Sequence, residues 1–244
     1  MAFFDMHCHM LYGVDDGATS PEMMFQMLEM AYADGTRAIC LTPHYSPYLF
    51  GNTAEKVGVV FEELKAYAAE KHPDMRLYLG NELGYYGGCE RALNEGLCRH
   101  LGDSRFILVD FPADVSFFEL RADLEKLMRM GYRVVLAHPE RYPCMAHKLS
   151  WIREFIDDGG LVQLDISAVT GGDGPTAKSI WKKMIQKHLV HMVSSDGHNT
   201  TTRPPVLSGC LPYLQKYCSP EEISALTFEN ADRILNDRPV LRFD

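Results

Sequence analysis

Apolar runs of strand length alternate along this chain with stretches whose apolar residues recur at helical spacing, and seven runs stop on a side chain able to bind metal or phosphate. They read Phe3 to His7 and His9, Ala38 to His44, Leu77 to Glu82, Phe106 to Asp110, Val134 to His138 and Arg141, Leu161 to Asp165, and Val190 to Asp196 and His198. The order predicts a parallel sheet, closed or wound, with helices outside. In a barrel of parallel strands the carboxyl ends share one face, where chemistry collects. One polynuclear metal site, assembled from the whole length of the chain, is therefore expected.

The first helix is sharply marked. Ser20 can cap it, Pro21 suits its first position, and Met24, Met27, Leu28 and Ala31 recur at helical spacing until Gly35 ends it. Further helices are predicted over 54–70, 117–130, 148–158, 175–188 and 220–230. No connection reads as a linker and no repeat is visible, so residues 1–244 are read as one domain.

Hydrophobic content of 46% and charged content of 23% are ordinary for a globular protein. The charge is more telling. At −9 the surface should repel a phosphate backbone, which disfavours a nucleic-acid partner. The amino-terminal run lacks a basic region and is broken by Asp5, His7 and His9, so neither signal peptide nor membrane insertion is expected. No later run approaches the roughly 18 residues needed to span a bilayer. Seven cysteines without a Cys-x-x-Cys pair point to free thiols in a reducing cytoplasm.

Successive strand side chains face opposite ways, so His7 and His9 share a face while Cys8 points away. Two imidazoles there suit a borderline cation such as Mn, Fe or Zn. Asp15-Asp16-Gly17 reads equally well as a turn, His44 after Thr42-Pro43 as a solvated loop residue, and Glu82 after Gly80-Asn81 as the start of a helix. Asp110 is stronger, because a carboxylate ending the buried run Phe106 to Val109 is costly unless paired or metal-bound. His138 follows Val134 to Ala137 in the same way, and Arg141 adds a guanidinium able to grip phosphate bidentately. Glu140 beside it reads as a member of a surface pair. Asp196 and His198 are again of one parity, and Arg203 lies in the stiff loop Thr202-Arg203-Pro204-Pro205.

Two decoys fall away. Gly172 to Ser179 nearly spells a phosphate-binding loop, but Ala177 replaces its last glycine and Pro175 lacks an amide proton where one is needed. It reads as a turn that starts a helix. No cysteine is followed by an arginine six residues on, so cysteine-dependent phosphatase chemistry is absent and metal-bound water would have to cleave any phosphate.

Asp5-Met6-His7-Cys8-His9, Val14-Asp15-Asp16-Gly17, Thr42-Pro43-His44, Gly80-Asn81-Glu82, Ala137-His138-Pro139-Glu140-Arg141 and Ser194-Ser195-Asp196-Gly197-His198-Asn199 resemble, in order, the motifs of the PHP superfamily. More narrowly they resemble the bacterial manganese-dependent tyrosine phosphatases of capsular and exopolysaccharide operons, over residues 3 to about 236. The resemblance implies an α/β fold, a distorted TIM-like (β/α)7 barrel with a trinuclear site. By motif position one ion takes His7, His9, Glu82 and Asp196, a second shares Glu82 and adds Asp110 and His138, and a third takes Asp16, His44 and His198. It implies three divalent ions, manganese with iron or zinc as alternatives, and Arg141 and Arg203 as phosphate-binding cations. Relatives usually carry Glu where this chain has Asp110, and no close match covers Asp165 to Gly174.

Two cations roughly 3.5 to 4 Å apart can ionise a bridging water and neutralise the attacked phosphoryl group, with arginines on its equatorial oxygens. The expected reaction is direct hydrolysis of phosphotyrosine, which carries about −1.5 to −2 charge, by metal hydroxide. The implied substrate is a tyrosine-phosphorylated protein, a bacterial tyrosine autokinase, in the cytoplasm; a homo-oligomer is compatible with this reading. A histidinol-phosphate phosphatase, or another small phosphomonoesterase of the superfamily, is the alternative. A metal-dependent nuclease and a non-catalytic metal-binding scaffold are more distant rivals.

Overall fold

The structure is a computed structural model and describes residues 1–243. Among them nine strands run in parallel: β1 Phe3–Cys8, β2 Thr36–Leu41, β3 His44–Tyr45, β4 Arg76–Leu79, β5 Glu82–Gly84, β6 Phe106–Asp110, β7 Arg133–Ala137, β8 Leu161–Asp165 and β9 Met192–Ser194. They form a sheet of order β1-β2-β4 and a second of order β3-β5-β6-β7-β8-β9.

Two of the predicted runs, those ending at His44 and Glu82, are each broken into two strands, and the breaks lie side by side. Pro43 has no amide proton to give to a ladder. Across the gap the Glu82 amide reaches the carbonyls of both Thr42 and Pro43 at 3.3 Å. The Asn81 side chain repairs the rest, donating to Pro43 O at 2.8 Å and accepting from Arg99 N at 2.9 Å. On its other flank the first sheet meets the segment after β9: Asp196 N donates to His7 O at 2.9 Å and His9 N to Gly197 O at 2.8 Å.

Apart from half-buried β3 and β4, the strands bury both faces, as parallel strands flanked by helices do. One face carries Phe4, Met6, Ala38, Cys40, Phe106, Leu108, Val135, Ala137, Leu161 and Met192, closed off by Ala231 and Ile234 of the helix Asn230–Leu235. The alternate residues pack outward under helices, Ile39 and Leu41 beneath Pro21–Asp34 and Ala54–Lys71, and Val134, Leu136, Val162 and Leu164 within the larger cluster. The inner parity continues toward the strand exits as Asp110, Gln163, Asp165 and Ser194, so the apolar layer is overlain by a polar one.

The first helix forms as expected: Ser20 Oγ accepts from Met23 N and Gly35 takes φ 105°. The helix expected over 220–230 differs. It starts on the capping box of Ser219 and Glu222, widens into a π turn over Ala225–Glu229 and continues as Asn230–Leu235. Thr227 Oγ1 bonding back to Ile223 O at 2.7 Å competes with the ladder at that point. The segment 172–179 begins the helix Gly174–Gln186, with Pro175 in its first turn.

Candidate metal centre

The strand exits bring the nine expected ligands together. Nε2 of His7 lies 3.0 Å from Nε2 of His9. Both nitrogens stand 3.3 Å from Glu82 Oε2, and they lie 3.3 and 3.2 Å from Asp196 Oδ1. Ligand atoms about 2.1 Å from one ion are themselves roughly 3 Å apart, which is this spacing. The other Glu82 oxygen accepts from His138 Nε2 at 3.0 Å, and His138 Nδ1 is 3.9 Å from Asp110 Oδ1. On the opposite side Asp16 Oδ1 lies 3.4 Å from His44 Nε2 and 3.5 Å from His198 Nε2.

Four overlapping groups could each hold an ion, every ligand atom within 4.8 Å of the others: His9, Asp16, His44 and His198; His7, His9 and Glu82; His7, His138 and Asp196; and Glu82, Asp110 and His138. The geometry thus differs in detail from the sets implied by motif position. His9 joins the Asp16 group because its ring lies against His198, centroids 4.1 Å apart.

The residues present fit divalent cations. Buried polar atoms are nearly always hydrogen-bonded, yet Oε2 of Glu82, Nδ1 of His138 and Nε2 of His198 have no partner. His44 Nδ1 comes within 2.9 Å of that Glu82 oxygen without hydrogen-bond alignment. The unpartnered atoms of Glu82 and His198 present lone pairs, costly in a buried pocket unless something positive lies among them. Burial opposes charge on His138, yet the Glu82 hydrogen bond and the Asp110 carboxylate push it up to about 9. Burial also works against the Glu82 and Asp196 carboxylates, yet the surrounding imidazoles hold both well below the usual range.

Supporting residues fix the ring orientations. Gln163 Nε2 donates to Leu164 O at 2.7 Å, which turns Oε1 toward His7 Nδ1 at 3.0 Å. Asp15 Oδ2 pairs with His9 Nδ1 at 2.8 Å and accepts from His44 N at 2.9 Å. The adjacent aspartates therefore divide the work: Asp15 is turned inward to the back of His9, and Asp16 faces the cluster. Gly17 permits this turn, because a Cβ there would fall inside the His9 carbonyl oxygen. Asp5 lies beneath, accepting from Ser195 N at 2.9 Å and from its hydroxyl. His138 and Asp196 both adopt positive φ, 32° and 48°, which redirects each side chain as its strand ends.

Cys8 packs into the outer core, away from His7 and His9. Asp110 accepts from the buried Tyr142 hydroxyl at 2.6 Å. Glu140 is not a member of a surface pair: it is 1% exposed, and its Oε1 accepts from Asp165 N at 2.7 Å. The 3-10 turn Pro139–Arg141 tucks it under the exit of β8, where burial pushes its carboxyl up to about 8.

Arg141 is held by three carboxylates, Asp173 at 3.0 Å, Asp196 at 2.6 Å and Asp165. Arg203 reaches the same Asp196 oxygen, Oδ2, as Arg141 does. The supporting roles of Asp15, Gln163 and Asp173 are not readable from the motifs. Of the three, Gln163 carried a signal, as a polar residue of inner parity within the apolar run Leu161 to Leu164.

Parallel strands overlain at their exits by clustered imidazoles, carboxylates and two arginines define an α/β protein with a hydrolase-type metal centre. The family model for capsular polysaccharide synthesis, CpsB/CapC, matches residues 3–236, and the chain belongs to that family. It is 28% identical over 239 residues to the tyrosine-protein phosphatase CpsB of Streptococcus pneumoniae, covering 96% of this chain and 98% of that one. It is 29% identical over 238 residues to the tyrosine-protein phosphatase YwqE of Bacillus subtilis, covering 98% and 93%. A solved chain from the crystal structures of YwqE and CpsB, described as unique metal-dependent tyrosine phosphatases, superposes with a TM-score of 0.86 at 27% identity, over 98% of this chain and 97% of that one. A phosphotriesterase homology protein from Escherichia coli shares the fold, with a TM-score of 0.59 at 13% identity and 96% and 98% coverage. Among the described residues no helix is long and apolar enough to cross a membrane.

Proposed function

We propose that this protein is a metal-dependent tyrosine-protein phosphatase that acts on a phosphotyrosyl protein of the capsular polysaccharide system. The observation that carries the reading is the convergence of Arg141 and Arg203 on Asp196, itself about one ligand spacing from His7 and His9. Anion-binding groups and cation-binding groups then meet at one carboxylate, the combination phosphoryl transfer needs.

In this reading residues 1–244 are one domain and the two sheets act as one distorted seven-stranded barrel, with β2 and β3, and β4 and β5, counted as interrupted strands. The backbone bonds between His7, His9, Asp196 and Gly197 support closure. His7, His9, Glu82 and Asp196 hold one divalent ion, Glu82, Asp110 and His138 a second, and Asp16, His44 and His198 a third with His9 at its edge. Manganese is the assignment, with iron and zinc accommodated by the same donors. Bound ions supply an acidified water and neutralise phosphoryl charge. Arg141 and Arg203 bind the phosphoryl oxygens, turning from Asp196 to do so, and Gln163 and Asp15 hold the rings of His7 and His9. Phe50 stacks flat on His44, 2° between planes, and exposed Tyr48 packs edge-on to Tyr86, a rim suited to a tyrosyl ring. A cytoplasmic tyrosine autokinase is the partner this implies.

The test compares kcat/KM on a phosphotyrosine peptide and on histidinol phosphate, with Mn2+ and after chelation. A metal-dependent preference for the peptide is expected, and a large preference for histidinol phosphate would sink the assignment. Glu82→Gln should lose activity and metal content together, since two of the four candidate ion groups contain its carboxylate.

A further inference from the structure

At the opposite end of the strands from the metal centre, ahead of β8 and β9, a cavity of about 130 Å³ opens between the helices Leu149–Asp157 and Gly174–Gln186 and the carboxyl-terminal segment. Its buried wall is His191, 2% exposed. The Val162 amide donates to His191 Nδ1 at 3.1 Å, so the neutral ring carries its proton on Nε2, and that nitrogen meets no hydrogen-bond partner among the described residues. Arg153 and Arg242 line the same cavity. Each donates to a backbone carbonyl, Arg153 to Lys187 O and Arg242 to Ile156 O at 2.9 Å, and neither has an ion-pair partner among the described residues. Burial, with the charge of these two arginines, holds His191 down to about 3 and thus uncharged.

The lining sets two arginines against two carboxylates, Asp157 and Glu222, in a chain of net charge −9. Of the carboxylates at the rim, Glu222 is engaged by His188 Nδ1 at 2.7 Å and by Ser219 N at 2.8 Å. Asp157 lines the cavity without pairing with either arginine. Two guanidinium groups and the Nε2–H of buried His191 around one partly open cavity have the donor chemistry of an oxyanion site. The volume holds several waters at on the order of 10 to 15 Å³ each, enough for a small oxyanion.

We propose that this cavity binds a small oxyanion, a phosphate or a carboxylate, independently of the metal centre. The site would use Nε2–H of His191 and the guanidinium groups of Arg153 and Arg242. Its wall is tied to β8 one residue from Gln163, through the Val162 and His191 backbones at 3.0 Å, so an occupant would brace the strand that orients His7.

Inorganic phosphate would also enter the metal centre, so the experiment separates the two places. Crystals of the metal-loaded protein soaked in bromide should show an anomalous peak within hydrogen-bonding reach of His191 Nε2, absent in the Arg153→Gln/Arg242→Gln variant. In solution, acetate and phosphate are each added to the two proteins and the melting temperature is followed. A stabilisation by acetate that the double variant loses assigns carboxylates. A loss confined to part of the phosphate effect assigns phosphate. No bromide peak, or a peak with no oxyanion stabilisation lost in the variant, an adventitious ion only, overturns the proposal.

Discussion

Nδ1 of His7 donates to Oε1 of Gln163 at 3.0 Å, with both side chains fully buried. The contact selects the tautomer that turns the Nε2 lone pair of His7 toward Glu82 and Asp196, because Gln163 spends its amide protons on Leu164 O. Residues that orient ligand rings are worth about 10- to 100-fold in metal affinity. Gln163→Leu, which cannot accept a proton, should weaken divalent-ion binding by roughly that factor while the fold is retained. Calorimetric titration with Mn2+ measures it, and unchanged affinity would remove Gln163 from the centre.

Arg141 and its carboxylate cradle should separate binding from chemistry. Arg141→Ala is expected to keep its metal and lose phosphate capture, appearing as a raised KM and lowered kcat/KM. Asp173→Asn leaves two of the three carboxylates on Arg141. A smaller effect, confined to KM and insensitive to metal concentration, is predicted; steady-state kinetics on one phosphopeptide at saturating metal compares the two.

Metal loading should release protons. His138 is raised to about 9 in the metal-free protein, so it is protonated at neutral pH and must become neutral to act as a ligand. Affinity is therefore expected to rise with pH up to about 9. The same shift stabilises the metal-free fold below the unfolded histidine value of about 6.5, and that contribution disappears as pH climbs through about 9. Melting curves with and without metal across this window should diverge as pH rises. Identical pH dependence in both forms would contradict the assignment.

Gly17→Ala tests the turn that divides Asp15 from Asp16. The added methyl would drive into the His9 carbonyl oxygen, which itself accepts from Ala18 N at 3.1 Å. Overpacking of this kind costs about 1 to 3 kcal/mol, or roughly 2 to 12 °C of melting temperature in a chain of this size. A larger loss of metal than of stability is expected, because His9 is displaced with its carbonyl. Thermal unfolding and metal analysis of the same preparation decide it.

The sequence by itself determined the strand and helix order, the alternation that buries one side of each strand among apolar residues, and the side-chain types at the exits. These are local: period 2 and period 3.6, caps such as Ser20 and stops such as Gly35 act within a few residues of chain. Which exits meet depended on register between strands distant in sequence. Only the tertiary structure turned Glu140 inward, set Asp15 behind His9 and Gln163 behind His7, brought Asp165 and Asp173 to Arg141, and broke the two adjacent strands beside Thr42-Pro43 and Gly80-Asn81. Those choices follow from hydrogen bonds and burial between segments up to 156 residues apart, as for His7 and Gln163. A one-dimensional pattern carries the need for a partner but not the partner's address.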